Sequence, residues 1–545
     1  WTGTNDPQGR HGGPATYNDL DTLAAKAGVP SYTWTTYAQR LQAAGIHWQV
    51  YQDLADNYDD NPLAGFKAFR DAVAGGSPDA QARALRERAF STRGVAQLRA
   101  DVLAGKLPQV SWIVAGAADS EHPEPSSPAQ GAHFTERVLQ ALTSNPEVWA
   151  RTVLIVNYDE NDGFFDHVPP PAPPSCEAWH ADPARARLAG ASTVSTQGEY
   201  HEHLVAYRNN AAEQALLHRP YGLGPRVPLL LVSPWSRGGW VHSQVLDHTS
   251  VIRFMEQRFK VMEPNISPWR RAVCGDLTGA FDFNARDTSP LPAWPSTRAT
   301  AQRAQALSRR TLAVAPEVPM QDAAALQQAR PRQAAGTRPS RALPYVLHGD
   351  ATVAAHGREV ALAFANTGQA AAVFHVYDRL RLAQWPRRYT VEAGKSLTGV
   401  WALDDGVAAY DLWVLGPNGW HRHFAGPAPA PGPAAQPEVQ LRYEPAQGRL
   451  VLQMRNGGTA ACNLVISANA YDTLAPERVP LAPQQQRLRH LDVRPSGHWY
   501  DFSVGLAAGT ETDGPAARPG VFMRRFAGRM ETGAASISDP AWGAA

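Results

Sequence analysis

Residues 343–427 and 437–530 carry the same order of short runs twice. The first copy reads Leu362-Ala363-Phe364-Ala365-Asn366-Thr367-Gly368, then Val376-Tyr377-Asp378, Tyr410-Asp411-Leu412-Trp413-Val414 and Phe424-Ala425-Gly426. The second reads Leu450-Val451-Leu452-Gln453-Met454-Arg455-Asn456-Gly457-Gly458, then Ala470-Tyr471-Asp472, Tyr500-Asp501-Phe502-Ser503-Val504 and Phe526-Ala527-Gly528. The order is shared and the spacings differ, as loop insertions produce. Period-two apolar patterning between frequent turns excludes long helices here. Two units of roughly 90 residues suggest tandem β-sandwiches, and two copies are too few for a solenoid. A Pro/Ala/Gly stretch from Gly426 to Pro437 divides them.

The preceding part, residues 1–310, alternates strand and helix signals. Val95, Leu98 and Val102 fall on one helical face, and Gly105 and Pro108 stop that helix. Val110 to Val114 then reads as a strand. Phe134, Val138 and Leu142 mark the next helix, Val153 to Val156 a buried strand, Val227 to Val232 another, and Ile252, Met255 and Phe259 the helix after it. This alternation predicts an α/β domain with a mainly parallel sheet covered on both faces. An Ala/Arg/Gln/Pro-rich stretch follows and reads as a surface helix running into a linker over 311–342.

At 545 residues the chain exceeds a single hydrophobic core, and several domains are expected. Acidic and basic residues nearly cancel, leaving a net charge of +1, and no long basic block gives support for nucleic-acid binding. No apolar stretch is long enough to cross a bilayer, so any membrane contact is expected to be peripheral. Cys176, Cys274 and Cys462 lack metal-finger spacing; one disulfide between Cys176 and Cys274, or three inert thiols, are the open readings.

The chemistry concentrates in Asn157-Tyr158-Asp159-Glu160-Asn161-Asp162-Gly163-Phe164-Phe165-Asp166-His167, directly after the Val153–Val156 strand. Open α/β sheets hold ligands outside such strand ends. Adjacent carboxylates repel unless a proton or cation offsets them, so Asp159 and Glu160 are candidate ligands for a hard metal, with a solvated acidic turn as the plain alternative. Asp166 can orient His167, or simply bond within its loop. His122, in the loop after the Val110–Val114 strand, can hold a phosphate oxygen or protonate a leaving group, or can belong to an ordinary surface loop. Asp247 or Ser250 caps the helix that follows, and His248 can face an anion at that N-terminus. Thr2, before Gly3, can sit on a tight turn with its oxygen exposed, where a metal would activate it as a nucleophile; a structural role is the alternative. Trp34, Tyr37, Trp48, Tyr51, Tyr58 and Phe66 are either core or a cage for a quaternary ammonium.

Taken in order, these segments resemble the bacterial phosphoesterase family, in its non-haemolytic and haemolytic phospholipase C branch, with acid phosphatases as relatives. The resemblance rests on Trp1-Thr2-Gly3-Thr4, Thr33 to Tyr37, Ala44 to Gln52, Glu121-His122-Pro123, Tyr158 to Val168, Arg226 to Ser236, Asp247 to Ser250, Ala272 to Thr278 and the tandem C-terminal repeat. It implies an alkaline-phosphatase-like core followed by paired β domains. It also implies a phosphoric diester hydrolase acting on phosphatidylcholine-type lipids through a phospho-threonine intermediate. Carried over, Thr2 matches the nucleophile, Asp159 and Glu160 match ligands of a divalent metal ion together with Thr2, and His122 matches a phosphate contact. His167 and His248 are transferred to the same site. Export to the periplasm or exterior is implied as well. The family pattern has an early strand and a Glu-Asn pair before the position of Trp1, so the chain is expected to lack the first part of its catalytic domain, to bind metal weakly and to turn over little. A phosphomonoesterase on the same core and a non-catalytic lipid- or surface-binding protein are the alternatives.

Overall fold

The structure is a computed structural model. It describes the 545-residue chain except residues 18–19, 21, 24–27, 76–78, 162, 164–166, 181–184, 206–209, 309–333, 355–356, 404–408, 429–433, 472–474, 508–519 and 542–545. The expected linker lies outside the described residues up to position 333. Beyond it, Pro339–Ser340 pairs antiparallel with Ser536–Ile537, so this stretch is anchored to the chain's last described strand.

The N-terminal part is mixed α/β. Its first strands are β1 (Trp48–Tyr51) and β2 (Val110–Ile113), which pair in parallel. The helix Val95–Leu103 between them buries Leu98 and Val102 and ends at Ala104, one residue before Gly105 takes φ +65°. The helix Pro128–Thr143 begins with proline at its first position and buries Val138 and Leu142. It leads to β3 (Leu154–Asn157). Two further strands, β4 (Ser175–Ala178) and β5 (Arg187–Ser192), pair antiparallel. The strand β6 (Leu229–Val232) pairs antiparallel with β3. The parallel arrangement is thus seen in β1–β2, while β3–β6 is an antiparallel pair of the kind mixed sheets commonly carry.

The expectation that β3 and β6 are fully buried needs correcting. β3 is only half-buried and Leu230 is 53% exposed. Alternation explains it. Leu229 and Leu231 pack with Ile155 on the buried Leu277, Ala280 and Phe281, whereas Leu230 falls on the opposite face of the strand. All four residues of β6 border a large cavity. By contrast β1 is buried throughout, within a core of Tyr37, Leu41, Leu63, Phe69 and Ile252.

The C-terminal half consists of two equivalent sets of seven strands. The first is Leu347–Val353, Glu359–Asn366, Ala372–Asp378, Arg387–Val391, Ser396–Ala402, Ala409–Leu415 and His421–Pro427. The second is Pro437–Glu444, Arg449–Asn456, Cys462–Ala468, Glu477–Leu481, Gln486–Asp492, Trp499–Leu506 and Met523–Arg529. In each set three strands form one sheet and four belong to another, with cores built from both faces. Equivalent strands meet at the centre, where His421–Pro427 pairs antiparallel with Met523–Arg529. The two four-stranded sheets therefore run edge to edge. β5 then adds in parallel to Arg387–Val391, and β4 follows, making ten continuous strands.

Two short motifs hold each unit. Asn366 is buried; its amide donates to the carbonyls of Ala370 and Val391 at 2.8 and 2.9 Å and its oxygen accepts from the Gly368 amide. Asn456 repeats this with Ala460, Leu481 and Gly458. The central seam is fastened by reciprocal arginines. Arg422 of the first unit donates to the Ala527 carbonyl at 3.0 Å and to the hydroxyls of Tyr443 and Tyr500 in the second. Arg524 of the second donates to the Ala425 carbonyl and the Tyr410 hydroxyl of the first, both at 2.8 Å.

Candidate functional site

The acidic loop begins where β3 leaves its sheet. Tyr158 is the first residue out, and it ties three segments together. Its hydroxyl donates to Glu121 Oε1 at 3.1 Å, joining the loop that carries His122. Burial, reinforced by Glu121, pushes the phenol up from its ordinary value and keeps it a donor. Its carbonyl lies 2.9 Å from His248 Nε2. A carbonyl only accepts, so that nitrogen carries a proton.

His248 is the first residue of the helix His248–Phe259. Asp247 caps that helix, accepting from the Ser250 amide at 3.2 Å and from Thr249 Oγ1 at 2.6 Å, while Ser250 Oγ accepts from the Asp247 amide. Behind the cap, Arg270 binds Asp247 at 2.7 Å, Glu199 at 2.9 Å and the Gly222 carbonyl at 2.9 Å. Ser267 adds a bond to Glu199 at 2.5 Å. Burial pushes the Glu199 carboxyl up, and Arg270 and Ser267 pull it back down. This network fixes the angle at which the helix start, and with it His248, meets the acidic loop.

Asp159, Glu160, His167 and His248 all border one cavity of about 1600 Å³. It is bounded by β6, by Pro169 to Pro171, and by Leu223 to Val227. Its far wall belongs to the β units and includes Val373, His375, Trp420 and His421. Asp159 and Glu160 are exposed at its edge. Asp166 lies outside the described residues, so the Asp166–His167 pairing does too.

The structure places Thr2 and His122 differently. Neither borders this cavity. Thr2 Oγ1 donates to the Thr4 carbonyl at 2.6 Å, and Gly3 packs so tightly on Glu263 and Ile266 that an added Cβ would sit 2.6 Å from Glu263 Cγ. His122 is exposed, and its Nδ1 lies 2.9 Å from the Tyr58 hydroxyl and 2.8 Å from the Glu124 carbonyl. It is linked to the acidic loop through its neighbour Glu121.

A hard divalent cation takes six or more oxygen ligands. Among the described residues there is no group of three or more His, Cys, Asp or Glu able to hold a metal, and the Thr2 hydroxyl is engaged with Thr4. Among the described residues, Asp159, Glu160 and Thr2 are not gathered as a metal centre.

Five of the six aromatic residues considered as a cage are core: Trp34, Tyr37, Trp48, Tyr51 and Phe66 are all buried. Only Tyr58 reaches a candidate site residue, through His122. The three cysteines are free thiols. The Arg270–Glu199 pair escaped the sequence reading altogether. Its only local signal was Ser267-Pro268, a helix start that places Arg270 on the first turn.

Residues 1–262 match the Phosphoesterase family model, and residues 339–427 and 437–529 match the model for the bacterial phospholipase C, C-terminal domain. The chain is 48% identical over 547 residues to the non-hemolytic phospholipase C of Pseudomonas aeruginosa, covering 100% of this chain and 73% of that one. It is 42% identical over 563 residues to the non-hemolytic phospholipase C of Burkholderia pseudomallei, covering 99% and 73%. To the hemolytic phospholipase C of Pseudomonas aeruginosa it is 39% identical over 555 residues, covering 93% and 69%. These matches, which together span the whole chain, place it in the phosphoesterase family, alongside the bacterial phospholipases C.

Proposed function

We propose that the chain is a phospholipase C that hydrolyses the glycerol-side phosphodiester of phosphatidylcholine-type lipids. The observation that carries this reading is the match over the whole chain, β units included, to enzymes of that name. Thr2 is assigned as the nucleophile. Its oxygen, exchanging the Thr4 carbonyl for substrate, bonds to phosphorus as the bond to the glycerol oxygen breaks. Diacylglycerol leaves with a proton, and water then frees phosphocholine from the phospho-threonine.

His248 suits an anion, because it stands at a helix N-terminus where amide dipoles favour negative charge. We assign it and His167 to the phosphoryl group, and His122 to a phosphate oxygen or the leaving group. In the same reading the protein is exported, to the periplasm or beyond, and the chain divides into a catalytic unit to about residue 310 and β units over 343–427 and 437–530.

The test compares p-nitrophenylphosphorylcholine with phosphocholine as substrates of the full-length protein. Faster diester cleavage is expected; a strong monoester preference ends the lipase reading. Thr2→Ala should abolish turnover, and unchanged turnover would remove Thr2 from the mechanism.

A further inference from the structure

The hairpin between Ala372–Asp378 and Arg387–Val391 has the sequence Arg379-Leu380-Arg381-Leu382-Ala383-Gln384-Trp385-Pro386-Arg387-Arg388, with four arginines and no acid. Its tip is apolar and open to solvent: Leu382 is 67% exposed and Trp385 56% exposed. Burying either side chain would be favourable, yet the fold presents both outward. The tip is also braced. The Arg379 amide donates to the Asp411 carbonyl at 2.8 Å, the Gln384 amide to the Arg381 carbonyl at 2.9 Å, and Arg387 to the Val400 carbonyl at 2.6 Å.

The catalytic half contributes to the same surface. Arg219 stands over the Trp385 ring at 5.4 Å. Beside it, Trp179 stacks on His218 at 4.3 Å, and Trp179 and Leu216 are each 36% exposed. The segment then runs directly into Leu223 to Val227, which border the cavity described above. Among the described residues, three carboxylates lie at the patch and each is answered by an arginine: Asp378 by Arg381 at 3.3 Å, Asp411 by Arg379 at 3.6 Å and Glu177 by Arg187 at 3.1 Å. Arg219, Arg387 and Arg388 tip the balance to positive.

We propose that this patch is where the protein docks on an anionic phospholipid bilayer, with Trp385 and Leu382 entering the interface and the arginines facing lipid phosphates. Tryptophan on an apolar body with a polar edge suits the headgroup level. Arginines near an anionic surface add attraction that salt screens. A braced hairpin loses little conformational freedom on insertion. The proposal rests on the phospholipase reading, since such a substrate lies within a membrane.

The experiment is co-sedimentation with mixed phosphatidylcholine–phosphatidylglycerol vesicles and with phosphatidylcholine alone. The wild-type chain is expected to bind the mixed vesicles more tightly, and less so as salt rises. Removing both apolar side chains (Leu382→Ser with Trp385→Ser) should weaken binding about tenfold or more. Arg219→Gln should weaken it about fivefold at low salt and flatten the salt dependence. Cleavage of soluble p-nitrophenylphosphorylcholine by the full-length protein should be the same in all variants. Absence of that cleavage in the wild type, with vesicle binding present, would count against the phospholipase reading alone. Equal vesicle binding by wild type and the double variant overturns the docking proposal. So does a wild-type dimer, seen in size-exclusion chromatography, that the variant loses without any vesicle binding in either.

Discussion

The two β units are built from one plan, and they differ most at their outer edges. Arg387–Val391 and Glu477–Leu481 occupy the same position, each last in its own four-stranded sheet. The first accepts β5 from the catalytic half, with Arg388, Tyr389 and Thr390 opposite Gly190, Ala191 and Ser192. The second ends the sheet, and it carries Pro480, which has no amide hydrogen to offer. One edge is recruited and the other is blunted. A duplicated fold thus acquires a direction: the outer edge of the first unit is joined to the catalytic half, and that of the second ends the sheet.

The shared seam is the place to break both units at once. Arg422 and Arg524 are buried, and each is held by carbonyls and tyrosine hydroxyls from across the seam. Truncating either removes several hydrogen bonds at once and leaves a cavity where the side chain lay. Arg422→Ala is expected to cost roughly 3–5 kcal/mol, from the cavity left and the hydrogen bonds lost, with Arg524→Ala somewhat below it because it reaches one tyrosine rather than two. Urea unfolding reads both. The double variant should fall short of the sum, since the two share one pair of strands.

The recruited edge gives the next largest effect. Gly190 has φ +119°, and a Cβ there would lie 1.8 Å from the Arg388 carbonyl oxygen. Gly190→Val should therefore part β5 from the β units, and limited proteolysis should release the two halves at a protease level the wild type resists. Pro480→Thr tests the opposite edge. The unit should stay folded, but light scattering should show concentration-dependent association, because a new amide donor then faces outward.

The buried asparagines sharpen the likeness rather than the difference. Asn366→Ala strands two carbonyls and the Gly368 amide. Asn456→Ala strands the carbonyls of Ala460, Leu481 and Ala482 and the amides of Gly458 and Gln436. Each is expected to cost about 2–3 kcal/mol. Closely matching losses by chemical denaturation would show that the two staples are equivalent. A gap of several kcal/mol would show that one unit leans on its neighbour.

Much of this was legible in the sequence because it is local. Asn-x-Gly at the end of a strand, the Tyr-Asp pairs and the Phe-Ala-Gly runs repeat within each unit, and strand alternation follows directly from side-chain period. The helix stripe Leu98–Val102 and the Asp247 cap were readable for the same reason. The acid pair fell at a strand end as expected. What could not be read is non-local. Nothing in Arg388 announces that β5 pairs beside it, and nothing in Arg270 announces Glu199, seventy-one residues away. β3 and β6 read as buried because an apolar run has the same composition whether it faces a core or a cavity wall. Thr2 is a further case: its motif suggested an exposed oxygen, but only coordinates show that oxygen bonded to Thr4.

The smallest expected effect compares single positions in the two units. His375 pairs in register with Leu415, and Val465 pairs with Gly505 at the matching place in the second unit. Both are about 4% exposed. Burial, helped by the nearby Arg388 charge, pushes the His375 imidazole down to about 3, and its Nδ1 has no hydrogen-bond partner among the described residues. In the unfolded chain the ring takes a proton near 6.5. Above that pH both states are neutral and the histidine adds no pH dependence. As pH falls below 6.5 the unfolded state gains the proton first, so stability drains until the folded ring titrates near 3. His375→Val copies the second unit and removes that slope. At pH 7 its cost should be small. Between pH 6.5 and pH 5 the wild type should lose about 1.6 kcal/mol more than the variant, the slope approaching roughly 1.4 kcal/mol per pH unit at the acid end. Parallel stability–pH curves for the two proteins would mean that the imidazole is protonated inside the sheet, with a counter-charge or water supplying what Val465 does without.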